Sequence, residues 1–334
     1  MNEVRLGTSG WSYKEWVGPF YPDNETKMLS FYSQVFNTAE IDSTFYAYPS
    51  KSMVYGWLRY SSKGFVFSAK LPQEITHKKM LDVKLGVKAD LNNFAELMEP
   101  LQNSGKLFAL LIQLPPSFRQ NLDLLERFFK VLPEEYRFAI EFRHKSWWNE
   151  ETWKLLRQYK VSNTIVDEPL LPPETIVTAD FAYIRWHGRG RRTWYDYRYS
   201  LDELKSWIPK VQDVSEKTRL VYGYFNNHYH GYAVENCLQV FEMLGISSLQ
   251  QSKTKERIEQ YLDQKIAEHK SKQTQLFPQT NENVKQNTSV EGLLLRLMDR
   301  GRLQRASEIS DDELVFEEYK SNLIRARIRR YPVT

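Results

Sequence analysis

Residues Arg137–Trp148 read RFAIEFRHKSWW, and the alternation in this stretch decides how the chain is organised. Phe138, Ala139, Ile140 and Phe142 are apolar, and Pro133 bounds the run upstream. Strand side chains alternate faces. Ile140 and Phe142 therefore point one way, and Ala139, Glu141 and Arg143 the other. A carboxylate inside an apolar strand is costly unless it is paired. Arg143 lies on the same face, about 6–7 Å along the strand. Taken alone, the pair reads as a structural closure of a core. A functional reading needs other strands to carry charge in the same way.

They do. AEIDSTFY aligns Glu40, Asp42 and Thr44; GFVFSAKLP aligns Val66, Ser68 and Lys70; LFALLIQLPP aligns Ala109, Leu111 and Gln113. VSNTIVDE ends in Asp167 after Ile165, and FAYIRWHG aligns Tyr183, Arg185 and His187. RLVYGYFNN aligns Tyr222, Tyr224 and Asn226, and RLGTSGW offers Arg5, Gly7 and Ser9. With the opening stretch these make eight short strands, apolar early and polar late, and helical stretches separate most of them. Alternating strands and helices imply a parallel sheet. Eight units close as a TIM-like (β/α)8 barrel, an α/β fold whose site lies at the C-terminal strand ends. A doubly wound open sheet is the competitor, but no G-x-G-x-x-G or Walker-type loop supports one.

The chain has 334 residues, 41% hydrophobic and 14% aromatic, enough for a large core. A net charge of +4 favours an anionic partner only mildly. Cys237 is the only cysteine, so a disulfide framework within the chain is excluded. No run approaches a membrane span, and MNEVRLGTSG reads as the first strand rather than a signal region. The expectation is a soluble cytoplasmic protein. The barrel is expected over residues 1–250, a charged helix and flexible linker over 251–288, and a small helical extension over 289–334. In that extension Leu293, Leu294, Leu297 and Met298 form a stripe, and Ser310 with Glu313 makes a capping box ahead of Leu314 and Phe316.

Several of these motifs together resemble a known family. GTSGWSYKEWVGPFYP, EIDSTFYAYP, FSAKLPQEITH, QLPPSF, EFRHKSWW, IRWHG and FNNHYHGYA, in this order over about residues 4–245, resemble the YecE-like family, domain of unknown function 72. The resemblance implies a TIM-like barrel. It implies no reaction, and it leaves the linker and the C-terminal segment unread.

The strand ends bring acids and bases together. Glu141 is the first candidate for acid–base catalysis, with Asp42, Asp167 and His187 beside it. Lys70, Arg143 and Arg185 would stabilise negative charge, and Gln113 and Asn226 would add hydrogen bonds. Glu40, Asp42, Asp167 and His187 could alternatively hold a divalent cation; a multi-zinc site is not indicated, and no metal ligand is assigned. His228 and His230 read as loop histidines, and Cys237 as a small core residue. The aromatic loop carrying Trp11 and Tyr13 either caps the barrel or stacks on a ring. The loop GRGRRTWYDYRY, Gly188–Tyr199, offers Arg191 and Arg192 to an anion and interleaves aromatics. These features point to an enzyme acting on a phosphate-bearing small molecule or on nucleic acid. The competing classes are a non-catalytic nucleotide or nucleic-acid binding module and a sugar or sugar-phosphate isomerase or hydrolase. In the linker, Gln273, Leu276 and Phe277 resemble the Q-x-x-L-F peptide that docks on a sliding clamp, a further expected partner.

Overall fold

The computed structural model describes residues 2–190, 193–276, 314–320 and 323–328. They fall into two compact units, residues 1–264 and 265–334. In the first, strands β1 (Glu3–Thr8), β2 (Thr38–Ile41), β3 (Val66–Lys70), β4 (Leu107–Gln113), β5 (Phe138–Glu141), β6 (Ser162–Asp167), β7 (Phe181–Trp186) and β8 (Leu220–Phe225) pair in parallel. Their hydrogen-bonded order is β1-β8-β7-β6-β5-β4-β3-β2. The ring closes where Ser9 bridges Glu40 and the Gly10 N–H donates to the Glu40 carbonyl at 2.8 Å. The fold is the expected TIM-like barrel.

Helices α1 (Met28–Val35), α2 (Lys51–Tyr60), α3 (Val87–Asn103), α4 (Leu122–Phe129), α5 (Glu150–Gln158), α6 (Leu201–Lys217) and α7 (Tyr232–Met243) cover the barrel. Local chemistry starts several of them. The Ser50, Asn121 and Asn149 side chains accept the N–H three residues on, and Ser200 with Glu203 forms a capping box. Helix α1 begins at Met28 without a side-chain cap from Lys27.

Inside the barrel the side chains stack in layers. At the N-terminal end Phe108 lies flat on Tyr222, centroids 3.5 Å apart, and edge-on to Phe181 at 5.1 Å. Above this plug Tyr224 shares its hydroxyl with Thr38 at 2.9 Å and Ser68 at 2.8 Å, and Tyr183 donates to Glu40 at 2.6 Å. The top layer is charged. The interior thus turns from aromatic to ionic along the strands, as the sequence alternation requires.

Helix α8 (Leu249–Leu276) begins in the first unit and continues into the second. Its buried Ile258 and Leu262 join the core, and Gln251 donates to the Val35 carbonyl at 2.9 Å. The barrel unit therefore runs to 264 rather than 250. The linker expected from His269 is helical as far as Leu276, so Gln273 and Leu276 sit in a helix, while Phe277 lies outside the described residues. The expected helical extension is also corrected. β9 (Leu314–Lys320) and β10 (Leu323–Ile328) form an antiparallel pair, so Leu314 and Phe316 lie in a strand. The stripe Leu293–Met298 and the capping residues Ser310 and Glu313 lie outside the described residues.

The β1–β2 seam rests on one hydroxyl. Tyr32 accepts the Thr8 N–H at 2.9 Å and donates to the Thr38 carbonyl at 3.2 Å. A Cβ on Gly7 would stand 2.1 Å from that carbonyl oxygen. Tyr32→Phe should therefore lower the unfolding free energy by about 1–3 kcal/mol, because a buried N–H loses its acceptor, and Gly7→Ala should also destabilise. Urea titrations of both variants check this; an unchanged midpoint for Tyr32→Phe would show that the seam does not need the hydroxyl.

Candidate functional site

Arg185, fully buried on β7, organises the top layer. Its Nη1 donates to Glu141 Oε2 at 2.6 Å and its Nη2 to Glu40 Oε1 at 2.7 Å. One guanidinium therefore ties β7 to β5 and to β2. Glu40 is completed by Ser9 Oγ at 2.7 Å and by Tyr183. Glu141 Oε1 also accepts from Arg143 Nε at 2.6 Å and Gln113 Nε2 at 2.7 Å. Burial opposes the charge on Glu141, but Arg185 and Arg143 outweigh it and hold its carboxyl well below the ordinary range.

His187 is buried beside Glu141. Burial and the neighbouring Arg143 push it down to about 3, against the pull of Glu141, so its ring is neutral. The Asn226 amide donates to Nδ1 at 3.0 Å, which leaves the proton on Nε2, 3.3 Å from Glu141 Oε1. Lys70 ends β3 with its ammonium 3.2 Å from Asp42 Oδ1 and 4.0 Å above the Phe45 ring. Glu141, Arg143, Lys70, Asp42, Gln113, Arg185, His187 and Asn226 are thus gathered at the C-terminal end of the barrel.

Asp167 is not among them. β6 pairs with β7 so that Thr164 lies opposite Tyr183, Val166 opposite Arg185, and Asp167 opposite the outward-facing Trp186. Asp167 turns to the helix layer, where it accepts from Trp207 Nε1 at 3.1 Å and from the Arg189 guanidinium. Counting the β6 face from Ile165 put the strand out of phase by one residue, which inverts every side chain. The cation set built on Glu40, Asp42, Asp167 and His187 therefore does not converge.

The carboxylate that takes the interior position is Glu168. It is only 4% exposed, and neither carboxyl oxygen has a hydrogen-bond partner among the described residues. Its nearest cation, Arg143 Nε, stands 3.6 Å away and is already bonded to Glu141. Burial pushes Glu168 up to about 7; Arg143 opposes the shift and the negative Glu141 adds to it. The signal was legible: Thr164 and Val166 lead to Glu168 by the strand period. A second residue passed over is His77, on a π-helical turn after β3, which meets the Phe45 ring edge-on at 4.8 Å.

The rim is aromatic. Tyr13 stacks on His228 at 4.6 Å, and Tyr195 lies 5.8 Å beyond it and 6.1 Å from His187. Trp11, Tyr13, Asp42, Tyr46 and His228 line a cavity of about 320 Å3 on the β1–β2 side of the mouth. Trp11 also packs against Phe67 at 5.6 Å, so it both caps the core and borders the cavity. The Gly188–Tyr199 loop brings Trp194 within 5.9 Å of the Arg143 guanidinium. Gly188 permits this at φ +85°, since a Cβ there would stand 2.3 Å from the Trp194 carbonyl oxygen. Arg191 and Arg192 lie outside the described residues. No helix among the described residues is long and apolar enough to cross a membrane.

A parallel barrel with a buried ionic cluster and an aromatic rim at its strand ends defines a TIM-barrel protein with a candidate site in the usual place for that fold. The chain belongs to the family described as protein of unknown function DUF72, whose model matches residues 5–260. Among curated relatives, the UPF0759 protein YunF of Bacillus subtilis (strain 168) is 26% identical over 270 residues, covering 73% of this chain and 95% of that protein. The UPF0759 protein YecE of Escherichia coli (strain K12) is 24% identical over 241 residues, covering 64% and 83%. Among solved structures, a DUF72 family protein from Thermotoga maritima MSB8 is 36% identical with a TM-score of 0.67, covering 73% of this chain and 99% of that one.

The position of Glu168 sets a pH dependence. Its folded pKa, about 7, lies above the ordinary 4.5, so the stability it contributes is full below 4.5 and lost as pH rises through 7. Glu168→Gln removes that loss. Relative to the parent, the variant should gain about 2–3 kcal/mol between pH 5 and pH 8. Denaturant unfolding at the two pH values measures the difference, and equal effects at both would refute the raised pKa.

Proposed function

We propose that the barrel is an acid–base enzyme acting on a compact, phosphate-bearing substrate, with Glu168 as the group that takes up and releases the proton. The observation that carries this reading is Glu168 itself. It is buried, its carboxyl oxygens have no hydrogen-bond partner among the described residues, and its raised pKa lies where a general acid or base works best at neutral pH. Glu141, the first candidate from sequence, is suited to a different task. Its oxygens are held by Arg185, Arg143 and Gln113, and its depressed pKa makes it a poor proton acceptor. It fixes the position of Arg143, and His187, itself held by Asn226, lies 3.3 Å from it. Lys70 and Arg143 supply positive charge for a phosphoryl group, and Tyr13, Tyr46 and His228 offer faces to the rest of the substrate.

The cavity volume supports a substrate of the size of a sugar phosphate or mononucleotide. The described arginines of the β7 end, Arg185, Arg189 and Arg198, also favour a compact ligand over a long polyanion. Arg185 is bound by Glu40 and Glu141, Arg189 by Asp167, and Arg198 by Glu235 at 2.7 Å and Asp263 at 3.2 Å. These charges are committed within the protein.

The test is a turnover screen over sugar phosphates, nucleotides and short oligonucleotides, run with the parent and with Glu168→Gln. The variant should lose about 10²–10⁴ in rate while still binding the substrate, and the limb of the rate–pH profile near 7 should vanish. A full rate in Glu168→Gln would overturn the proposal. Binding without turnover across the whole screen would favour a binding module, and a steep salt dependence toward oligonucleotides would restore nucleic acid as the partner.

A further inference from the structure

We propose that the anionic group of the substrate binds at the end of β3, between Lys70, Arg143 and His77, and that its binding is coupled to protonation of His77. This rests on the reading of a phosphate-bearing substrate and names the place where that phosphate sits. Among the described residues the Lys70 ammonium has one hydrogen-bond partner, Asp42, and an ammonium carries three donors. It is nearly buried, so its remaining donors face the protein or a ligand rather than bulk water. Phe45 touches both, with the Lys70 ammonium 4.0 Å over its ring and the His77 ring T-shaped to it at 4.8 Å, and the charges of Lys70 and Arg143 reach His77. His77 Nδ1 pairs with the Thr76 hydroxyl at 2.9 Å, leaving Nε2 without a partner among the described residues. Arg143 uses Nε on Glu141, and its two terminal nitrogens carry further N–H groups.

The coupling follows from the charges around the ring. Burial, then Lys70 and Arg143, push His77 down to about 4. On its own turn Glu74 is engaged with Lys78 at 2.9 Å and Lys79 at 3.9 Å. Asp42 faces Lys70, and Glu141 and Glu168 face Arg143, on the far side of the two cations. An anion placed among the three groups cancels the repulsion that keeps the ring neutral. The folded pKa of His77 then rises, so a proton enters with the anion and affinity grows as pH falls toward the free value.

Inorganic sulfate is the probe, because it stays doubly charged across the range, whereas phosphate titrates near neutrality. In the full-length protein, saturating sulfate should raise the NMR-measured pKa of His77 by a unit or more from about 4. Glu168 also titrates, so affinities are compared in Glu168→Gln, where sulfate should tighten by about twofold or more from pH 7 to pH 5. Adding His77→Gln should flatten that slope, and Lys70→Met should abolish binding. A His77 pKa unmoved by bound sulfate, binding unaffected by Lys70→Met, or no binding at tens of millimolar would each overturn the subsite. None of these outcomes touches the rate loss expected of Glu168→Gln, so the subsite and the acid–base reading fail separately.

Discussion

A guanidinium with no access to solvent joins two carboxylates on different walls of the barrel, and the rest of the site depends on it. Arg185 could not remain charged in the interior without Glu40 and Glu141. Arg185, with Arg143, in turn keeps Glu141 ionised despite its burial. The three strands that carry them are fixed in relative height by the fork. Ion pairs of this kind rarely add net stability over a packed apolar core. What the arrangement does supply is position: Glu141, held from one side by Arg185, holds Arg143 from the other, and Arg143 then faces Glu168 and Trp194.

Charge matching explains why one acid in this cluster differs from the others. Lys70, Arg143 and Arg185 stand against Glu40, Asp42, Glu141 and Glu168. Asp42 has Lys70, Glu40 and Glu141 share Arg185, and Glu141 takes Arg143 as well. Glu168 is the carboxylate left over, close to a cation that Glu141 already engages. In a buried environment the surplus charge is relieved by binding a proton. The raised pKa is therefore a property of the whole network. It also makes proton uptake sensitive to whatever anion approaches Arg143 from the mouth.

Much of this was legible in the chain. Glu40/Asp42, Glu141/Arg143 and Arg185/His187 repeat charge at the strand period, and apolar residues between them fix the opposite face. β6 was misread because Asp167 and Glu168 are adjacent, so a carboxylate fits either phase. The deciding feature is size: Thr164 is small enough to lie against Tyr183 inside the barrel, while Ile165 packs in the outer core. His77 escaped because no strand period governs a π-helical turn. Toward the C-terminus, residues 269–276 read as linker from their polarity, yet Lys, Gln and Leu are good helix formers. LIRARI alternates apolar and charged residues, a strand signal that the search for helical stripes passed over.

Cavity size alone would direct attention to the other end of the barrel. A space of about 670 Å3 opens there among Lys130, Glu134, Arg137, Tyr159, Lys160 and Asp180, twice the volume of the cavity at the mouth. The physics of the two ends differs. Behind the lower cavity the barrel is stopped by Phe108, Phe181 and Tyr222, and Arg137 lies over the Phe108 ring. Lys130 is raised by its own Glu126. At the mouth the charged groups are buried, share partners, and leave one carboxylate and part of one ammonium unmatched. Water satisfies charges at the lower end at no cost to the fold. At the upper end the fold itself encloses the charged groups.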